Sequence, residues 1–279
     1  MSIAAVVTGA TGGIGKEIVR GLLRQGATLV VGVRSIEKGE ALRAELASEP
    51  GGGKVEILPL DVASMESVRA FSAAVAEAHP ALQLLINNAG AWFNERSETA
   101  EGREMTLATN VLGPHLLTHL LLPQLRAGKP ARIVNIVSSA AGNYDASDLE
   151  WRRRKYDGFK AYTQSKQALR MTTWKLAQRL DGSGVAANAV SPGFVKTDFL
   201  HNATGFVAAM LRLISFLAVT PEKGSATPLW VALAPELAGV NGKYFEDRKE
   251  KDGKFRKQAA LDELEKLLDK FAGVSRAAP

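Results

Sequence analysis

Cysteine is absent from the 279 residues, which excludes disulfide bonds, thiolate metal sites and cysteine nucleophiles. A run of about 18 apolar residues, the length that a membrane-spanning helix needs, is also absent. The segment that opens the chain, Met1–Val7, is too short for a secretory leader and lacks its basic residues. We therefore expect a cytoplasmic protein without a membrane span.

Two further classes of partner are excluded by what the sequence lacks. The 35 lysines and arginines outnumber the 29 acidic residues, but they are scattered, and their densest run is only Arg152–Lys155. Scattered cations are typical of a solvated surface that suits an anionic cofactor, so no nucleic-acid partner is expected. No metal site is expected either, because the histidines lack ligand spacing with acidic residues. They are His79, His115, His119 and His201.

Short β-branched runs alternate along the chain with longer helical patterns. Continuous apolar strands separated by helices predict a parallel sheet covered on both faces. We predict one α/β domain with a doubly wound parallel sheet of the Rossmann type over residues 1–252, followed by a helical tail over 253–279. The longest predicted helices run from about Ala100 to Arg126 and from Tyr162 to Leu180. The strands, about seven in number, are Ile3–Val7, Thr28–Val33, Val55–Leu58, Leu84–Ile86, Arg132–Val137, Val185–Val190 and Gly242–Phe245.

A glycine-rich loop, Thr8–Gly15, joins the first predicted strand to the first helix. Glycine allows a tight turn and a close approach of the backbone to a pyrophosphate, and the helix N-terminus favours the negative charge. The spacing is T-G-x-x-x-G-x-G rather than the strict G-x-G-x-x-G fingerprint. We assign dinucleotide contacts to Gly9, Thr11, Gly13, Ile14 and Gly15.

The end of the second predicted strand selects between NADP and NAD. An acidic residue there would hold a ribose 2′-hydroxyl, whereas a basic residue suits a 2′-phosphate. The strand is followed by Arg34, whose guanidinium can form paired hydrogen bonds with phosphate, and by Lys38 one helical turn later. Glu37 argues for NAD, although an acid is also favoured in the first turn of any helix. We predict that NADP(H) is preferred over NAD(H).

Tyr162 and Lys166 lie four residues apart, which puts a phenol and an ammonium on one helix face. A neighbouring cation stabilises a phenolate and lowers the tyrosine pKa, so the pair can protonate a carbonyl oxygen as hydride reaches its carbon. Tyr156 and Lys160 have the same spacing. An Asp-Gly turn signal lies between them, so the two are not expected to share a helix face. We predict Tyr162 as the general acid/base.

Two serines, Ser138 and Ser139, follow the fifth predicted strand at its carboxyl edge, where open α/β sheets bind their ligands. Together, the glycine loop, these serines and the Tyr-x-x-x-Lys pair resemble the short-chain dehydrogenase/reductase family. The resemblance spans about residues 3–200 in the family's order. It also includes Asp61, Asn87–Gly90, Asn110, Ser191–Gly193 and Thr197.

The resemblance implies a role for each matched residue. It implies Tyr162 as the general acid/base, Lys166 as the group that lowers its pKa and holds the nicotinamide ribose, and Asn110 as the anchor of a water linked to Lys166. It implies that Ser139, rather than Ser138, orients the substrate oxygen, because the family serine precedes x-x-Gly. The other implied cofactor contacts are Asp61, Val62, Asn88, Ala89, Gly90, Pro192, Gly193, Val195 and Thr197.

The spacing of 23 residues between Ser139 and Tyr162 is longer than in many family members. The insertion, about residues 143–158, resembles that of the retinol dehydrogenase-like branch, whose membrane-bound members carry an anchor that is not predicted here. An apolar stretch over about 198–220 stands where the family has a substrate lid. A helix packed in the core or in a dimer contact, and a helix lying on a membrane surface, are the alternatives for this stretch.

These features together predict an NADP(H)-dependent carbonyl reductase, reversible as an alcohol dehydrogenase, that acts on a lipophilic ketone or aldehyde. A non-catalytic NADP(H)-binding sensor or interaction protein on the same fold is the alternative, since fold does not fix function. Such a protein would not need the tyrosine, lysine and serine together. The sequence leaves assembly into a homodimer or a homotetramer open.

Overall fold

An eight-stranded sheet runs through the computed structural model, which describes residues 3–195 and 218–274. Its strands are β1 (Ala4–Thr8), β2 (Thr28–Val33), β3 (Lys54–Pro59), β4 (Leu84–Asn87), β5 (Ala131–Ile136), β6 (Val185–Ser191), β7 (Tyr244–Glu246) and β8 (Lys249–Glu250). They follow the order β3-β2-β1-β4-β5-β6-β7-β8, and every pair except β7–β8 is parallel. The order reverses between β1 and β4, where the carboxyl ends of the strands leave a ligand-binding crevice.

Helices cover both faces of the sheet. They are α1 (Gly13–Leu23), α2 (Ile36–Glu45), α3 (Met65–Ala78), α4 (Met105–Leu107), α5 (Gly113–Ala127), α6 (Gly158–Arg179), α7 (Pro221–Leu233) and α8 (Gln258–Ala272). A π-helical turn spans Ala108–Leu112, and 3₁₀ turns span Ala146–Asp148 and Pro235–Leu237. Within 3–195 and 218–274, no helix is both long enough and apolar enough to cross a bilayer.

Buried aliphatic side chains fill the space on each side of the sheet. β4 and β6 are buried along their whole length because helices cover both of their faces. One core layer joins the sheet to α3, α5, α6 and α8, and the other joins it to α1 and α7. The strands are therefore apolar without interruption because helices bury both faces of the sheet, as the sequence predicts.

The C-terminal helix α8 belongs to the first of these layers. Leu261, Leu264 and Leu268 follow one another at helical spacing and are at most 2% exposed. Arg69 of α3 donates hydrogen bonds from Nη2 to the carbonyl groups of Ala272 and Gly273, at the C-terminal end of α8. The helix is thus held to the same core as α5 and α6.

The structure differs from the predicted elements in three places. The sheet has an eighth strand, because a two-residue turn with positive φ at Asp247 and Arg248 returns the chain as an antiparallel edge. The helix predicted from Ala100 starts at Met105 and contains the π-helical turn. The helix predicted from Tyr162 begins at Gly158, because the Asp157 carboxylate caps it by accepting a hydrogen bond from the Lys160 backbone N–H.

Candidate active site

A cavity of about 790 Å³ opens at the carboxyl ends of β1 to β4. It brings together most of the residues that the sequence assigns to the cofactor, although they come from four separate loops. The assigned residues that line it are Gly9, Thr11, Gly13, Ile14, Gly15, Arg34, Lys38, Asp61, Val62, Asn88, Ala89 and Gly90.

The glycine loop gives this cavity a floor of backbone N–H groups. Gly9 and Gly13 have positive φ angles of 66° and 52°, which favour glycine. The N-cap residue of α1, Gly12, has no side chain to cap the helix, and the first turn of α1 contains no acidic residue. The N–H groups of that turn are therefore available to an anion, with the positive end of the helix dipole behind them.

Close packing fixes this loop against the segment that follows β4. A Cβ atom added at Gly9 would lie 2.6 Å from Ala89 Cα, and one added at Gly15 would lie 2.3 Å from the Gly9 carbonyl oxygen. Thr8 Oγ1 accepts hydrogen bonds from the backbone N–H groups of Asn88 and Ala89. The loop and the Asn88–Gly90 segment therefore form one rigid wall of the cavity, called the cofactor wall below.

Basic side chains stand at the end of β2. Arg34 and Lys38 are exposed and line the cavity. Between them, Ser35 caps α2 by accepting a hydrogen bond from the Lys38 backbone N–H. After the neighbouring strand β3, the Asp61 carboxylate accepts a hydrogen bond from the Ala63 N–H, which fixes that turn. A 2′-phosphate at this edge would meet two cations.

Tyr162 and Lys166 lie one turn apart on α6, as predicted. Lys166 is 4% exposed and its Nζ donates a hydrogen bond of 2.9 Å to the Ile136 carbonyl at the end of β5. Burial lowers the pKa of Lys166 to about 8. A Cβ atom added at Gly90 would lie 2.9 Å from Lys166 Nζ, so the ammonium reaches the cofactor wall.

The Tyr162 phenol has a different electrostatic setting from the predicted one. Burial raises its pKa, and a hydrogen bond with the Ser138 side chain opposes that rise. Lys166 Nζ is 6.0 Å from the centre of the phenol ring. The expected lowering of the Tyr162 pKa is therefore wrong for this geometry, because desolvation of the phenolate outweighs the stabilising contacts.

The serine whose side chain hydrogen-bonds this phenol is Ser138, whereas the sequence assigns Ser139 to the substrate oxygen. Ser138 begins a turn in which its carbonyl accepts a hydrogen bond from the Ala141 N–H and its Oγ accepts one from the Ala140 N–H. The turn carries Ser139 outward, and Ser139 is exposed. Ser138 is therefore the serine that contacts the phenol, and the serine that orients the substrate oxygen stays a prediction.

Asn110 lies in the π-helical turn and is fully buried. Its Oδ1 accepts a hydrogen bond of 2.7 Å from the Ala91 N–H, and its Nδ2 donates to the Ala91 carbonyl and to Ser165 Oγ of α6. The side chain therefore connects the loop after β4 directly to the helix that carries Tyr162. An added Cβ at Gly90 would lie 3.4 Å from Asn110 Oδ1.

Tyr156, the tyrosine of the second Tyr-x-x-x-Lys pair, lies before the N-terminal cap of α6 and faces away from Lys160. Its hydroxyl lies 3.1 Å from Glu104 Oε1 and 2.9 Å from Thr106 Oγ1. Lys160 is exposed and pairs with Asp157 at 3.6 Å. Equal spacing in sequence therefore does not give the two pairs equal surroundings.

The remaining assigned residues follow β6. Gly193 has a φ angle of 79°, and its N–H donates a hydrogen bond to Ser191 Oγ. Val195 pairs with Val219, and its side chain would be 2.6 Å from a Cβ atom added at Gly224 of α7. Thr197, together with residues 198–217 of the predicted lid, lies outside the described residues.

One aromatic residue at the site was missed by sequence reasoning. Trp92 follows Asn88–Ala91 and stacks on Tyr162, with ring centres 6.0 Å apart and planes 18° apart. Its position directly after the cofactor segment was the available signal, but an isolated tryptophan is commonly a core residue.

Known proteins resemble this chain in sequence over most of its length. The sequence model described as short chain dehydrogenase matches residues 3–206. Human retinol dehydrogenase 13 is 39% identical over 253 residues, which cover 88% of this chain and 76% of that protein. Mouse polyprenol dehydrogenase is 39% identical over 255 residues, again covering 88% of this chain and 76% of that protein.

Solved structures show the same fold. A putative uncharacterized protein from Mycobacterium paratuberculosis has a TM-score of 0.77 and 29% identity, with 97% of this chain and 93% of that chain covered. The RhlG/NADP active-site complex of Pseudomonas aeruginosa has a TM-score of 0.69 and 27% identity, with coverages of 91% and 96%. Since the family match spans most of the chain and its relatives are similar over most of their length, this protein belongs to the short-chain dehydrogenase family of oxidoreductases.

Proposed function

We propose that this protein is an NADP(H)-dependent oxidoreductase that interconverts a lipophilic alcohol and its aldehyde or ketone, with Tyr162 as the general acid/base. The observation that carries the proposal is the convergence of Tyr162, Lys166 and Ser138 beside the glycine-loop cavity. A sensor without catalysis would need only the cavity.

The cavity fits a nicotinamide dinucleotide. Its backbone N–H groups at the start of α1 suit a pyrophosphate, and the wall formed by Asn88–Gly90 continues towards Lys166. The bound cofactor supplies or accepts the hydride. The chain's own residues then have to orient the substrate oxygen and move one proton.

Tyr162 provides that proton when a carbonyl is reduced and takes it back when an alcohol is oxidised. Burial raises the pKa of the phenol, so the protonated form that reduction needs dominates at neutral pH. Lys166, with a pKa of about 8, is mostly charged at pH 7 and stabilises the phenolate that remains. Ser138, which we assign in place of Ser139, hydrogen-bonds both the phenol and the reacting oxygen.

NADP(H) preference rests on Arg34 and Lys38, the two exposed cations at the end of β2. Replacing both with alanine is expected to raise the KM for NADPH about 10- to 30-fold, since each of the two exposed ion pairs contributes roughly 0.7–1 kcal/mol. The KM for NADH should change less than threefold. Wild-type protein that uses NADH better than NADPH, or a double variant with an unchanged KM for NADPH, would contradict this assignment.

The substrate class is proposed from the relatives. Retinol and polyprenol, which appear in the names of two of them, are both long apolar alcohols. A lipophilic alcohol or aldehyde would gain most from leaving water in an enclosed pocket.

The proposal is tested by following nicotinamide absorbance with a panel of aldehydes, ketones and alcohols of increasing chain length. We expect kcat/KM with NADPH to rise with the apolar length of the substrate. A protein that binds NADPH but turns over none of the panel would instead support the cofactor-binding sensor. A preference for short polar substrates would contradict the proposed substrate class alone.

A further inference from the structure

The Trp92 indole occupies a defined place between two functional segments. It follows the cofactor wall by two residues and is 5% exposed, yet it does not join the main apolar core layers. Instead it stacks nearly parallel to the Tyr162 ring and packs at 5.4 Å, ring centre to ring centre, against Phe159 in the first turn of α6. The loop that holds the cofactor thereby contacts the proton donor directly.

The inserted segment holds Trp92 in this place. Gly158, where the insertion enters α6, packs so closely that an added Cβ would lie 2.2 Å from the Phe93 carbonyl oxygen and 2.8 Å from Trp92 Nε1. The Tyr156 hydroxyl also lies 3.3 Å from that carbonyl. The end of the insertion therefore packs tightly against the Phe93 backbone and the Trp92 side chain.

Ser138 and Trp92 restrain different degrees of freedom of the tyrosine. A hydrogen bond to the phenol oxygen fixes one atom but leaves the ring free to turn about the axis through that atom. A ring stacked on one face fixes the plane. Proton transfer requires a narrow range of geometry, and a displacement of about 1 Å can slow a reaction about 100-fold.

We infer that Trp92 is a positioning residue for Tyr162, and that the insertion acts on catalysis by holding Trp92 against the phenol. The inference rests on the proposed role of Tyr162. It assigns the 143–158 insertion an effect on the chemical step in addition to any effect on substrate choice. Because Trp92 contacts the tyrosine ring rather than the reacting atoms, its loss should lower kcat and leave cofactor affinity unchanged.

The first test replaces Trp92 with leucine or with phenylalanine. W92L is expected to lower kcat about 10- to 100-fold, while the KM of the substrate and the Kd of NADPH change less than about threefold. W92F keeps an aromatic face, and its kcat should recover to within about fivefold of wild type. The measurements are steady-state kinetics and titration of nicotinamide fluorescence.

The matched control is W174L. Trp174 lies on the same helix as Tyr162, about three turns away, and is 4% exposed, so its removal costs comparable apolar burial. Its kcat should stay within about threefold of wild type at a temperature at which both variants are folded. Equal losses of kcat in W92L and W174L would show a general effect of destabilisation and overturn the inference.

A second variant leaves the indole in place. G158A adds one methyl group, which must push Phe93 and Trp92 away from their positions. Since Gly158 does not have a positive φ, the backbone itself tolerates alanine. We expect a fall in kcat of about fivefold or more without a change in NADPH Kd; wild-type kcat in both G158A and W92L would overturn the inference.

Tyr162→Phe separates this inference from the proposed function. Inactive Y162F with fully active W92L removes the role of Trp92 and leaves the general acid/base in place. Fully active Y162F removes the proposed role of Tyr162, and the positioning role falls with it. Inactive Y162F together with slow W92L and recovered W92F supports both.

Discussion

Two tyrosine–lysine pairs with the same spacing lie six residues apart, and their surroundings differ in almost every physical respect. Tyr156 is separated from Lys160 by the capping residue of α6, whereas Tyr162 and Lys166 share a face of the continuous helix. Lys160 is exposed and pairs with an acid, while Lys166 is buried and donates to a backbone carbonyl. Only the second pair reaches the cofactor wall.

The two phenols also differ in the charged groups beside them. Tyr156 lies against the Glu104 carboxyl, and both burial and that charge raise the pKa of the Tyr156 phenol. Tyr162 lies against the Ser138 hydroxyl, which favours its phenolate. A tyrosine beside an acid is suited to structure, and a tyrosine between a serine and a cation is suited to proton exchange.

The strongest test of this contrast removes each hydroxyl in turn. Tyr162→Phe is expected to lower kcat about 1000-fold or more, because both the proton donor and its hydrogen bond are lost. Tyr156→Phe should keep kcat within about threefold at 25 °C. Both variants should bind NADPH with wild-type affinity. An inactive Tyr156 variant beside an active Tyr162 variant would reverse the assignment of the two pairs.

Replacing each lysine should show that only Lys166 affects activity and stability. Lys166→Met is expected to lower kcat about 100-fold and to raise the melting temperature by about 2–4 °C at pH 7. Burial holds the Lys166 pKa near 8, below its ordinary value of 10.5, so the fold bears the full cost of a buried charge below pH 8.

This cost fades as pH rises from 8 to about 10.5, where lysine becomes neutral in the unfolded chain as well. The gain in melting temperature should therefore shrink between pH 7 and pH 10, as measured by circular dichroism. Lys160→Met, the matched control, should leave both activity and melting temperature nearly unchanged. A Lys166 variant that melts lower than wild type at pH 7 would show that the Ile136 contact outweighs the buried charge.

Replacing the two serines should give losses of kcat that differ by an intermediate amount. Ser138→Ala is expected to lower kcat about 30- to 300-fold, because the phenol and the substrate oxygen both lose a hydrogen bond. Ser139→Ala should change kcat less than about threefold, since Ser139 is exposed. Comparing kcat of the two variants with the same substrate decides between them, and a larger loss in the Ser139 variant would restore the assignment from the sequence pattern.

The smallest expected effect is the change in the free energy of unfolding when Tyr156 loses its hydroxyl. Removing the Tyr156 hydroxyl leaves Glu104, which is 1% exposed, with one fewer hydrogen bond. We expect Tyr156→Phe to lower the free energy of unfolding by about 1–2 kcal/mol, measured by denaturant titration. An unchanged value would mean that the hydroxyl contributes nothing to holding the insertion.

The sequence predicts the local parts of this site better than the long-range ones. The glycine loop and the Tyr162–Lys166 pair follow from spacing within one turn or one helix, and they lie at the places in the fold that this spacing predicts, while their roles stay predictions. Which of Ser138 and Ser139 faces Tyr162 depends on the turn after β5 and on how this turn packs against α6. The contact of Trp92 joins residues 70 positions apart, which no periodicity reveals.

Electrostatics were harder still to predict. A lysine four residues from a tyrosine indicates a lowered phenol pKa, but the sign depends on burial as well as on charge. In this fold, desolvation raises the Tyr162 pKa and lowers the Lys166 pKa together. Sequence spacing identifies which groups meet, and only the three-dimensional surroundings determine their protonation.

The hydrogen bonds of Arg69 to the C-terminal end of α8 have a consequence for folding during synthesis. The two ends of that contact are separated by more than 200 positions in the chain. While the protein is being synthesised, the α3–α5–α6 layer must wait with uncovered apolar side chains until residue 272 has left the ribosome. We therefore expect a nascent chain shorter than this to expose apolar side chains that chaperones bind.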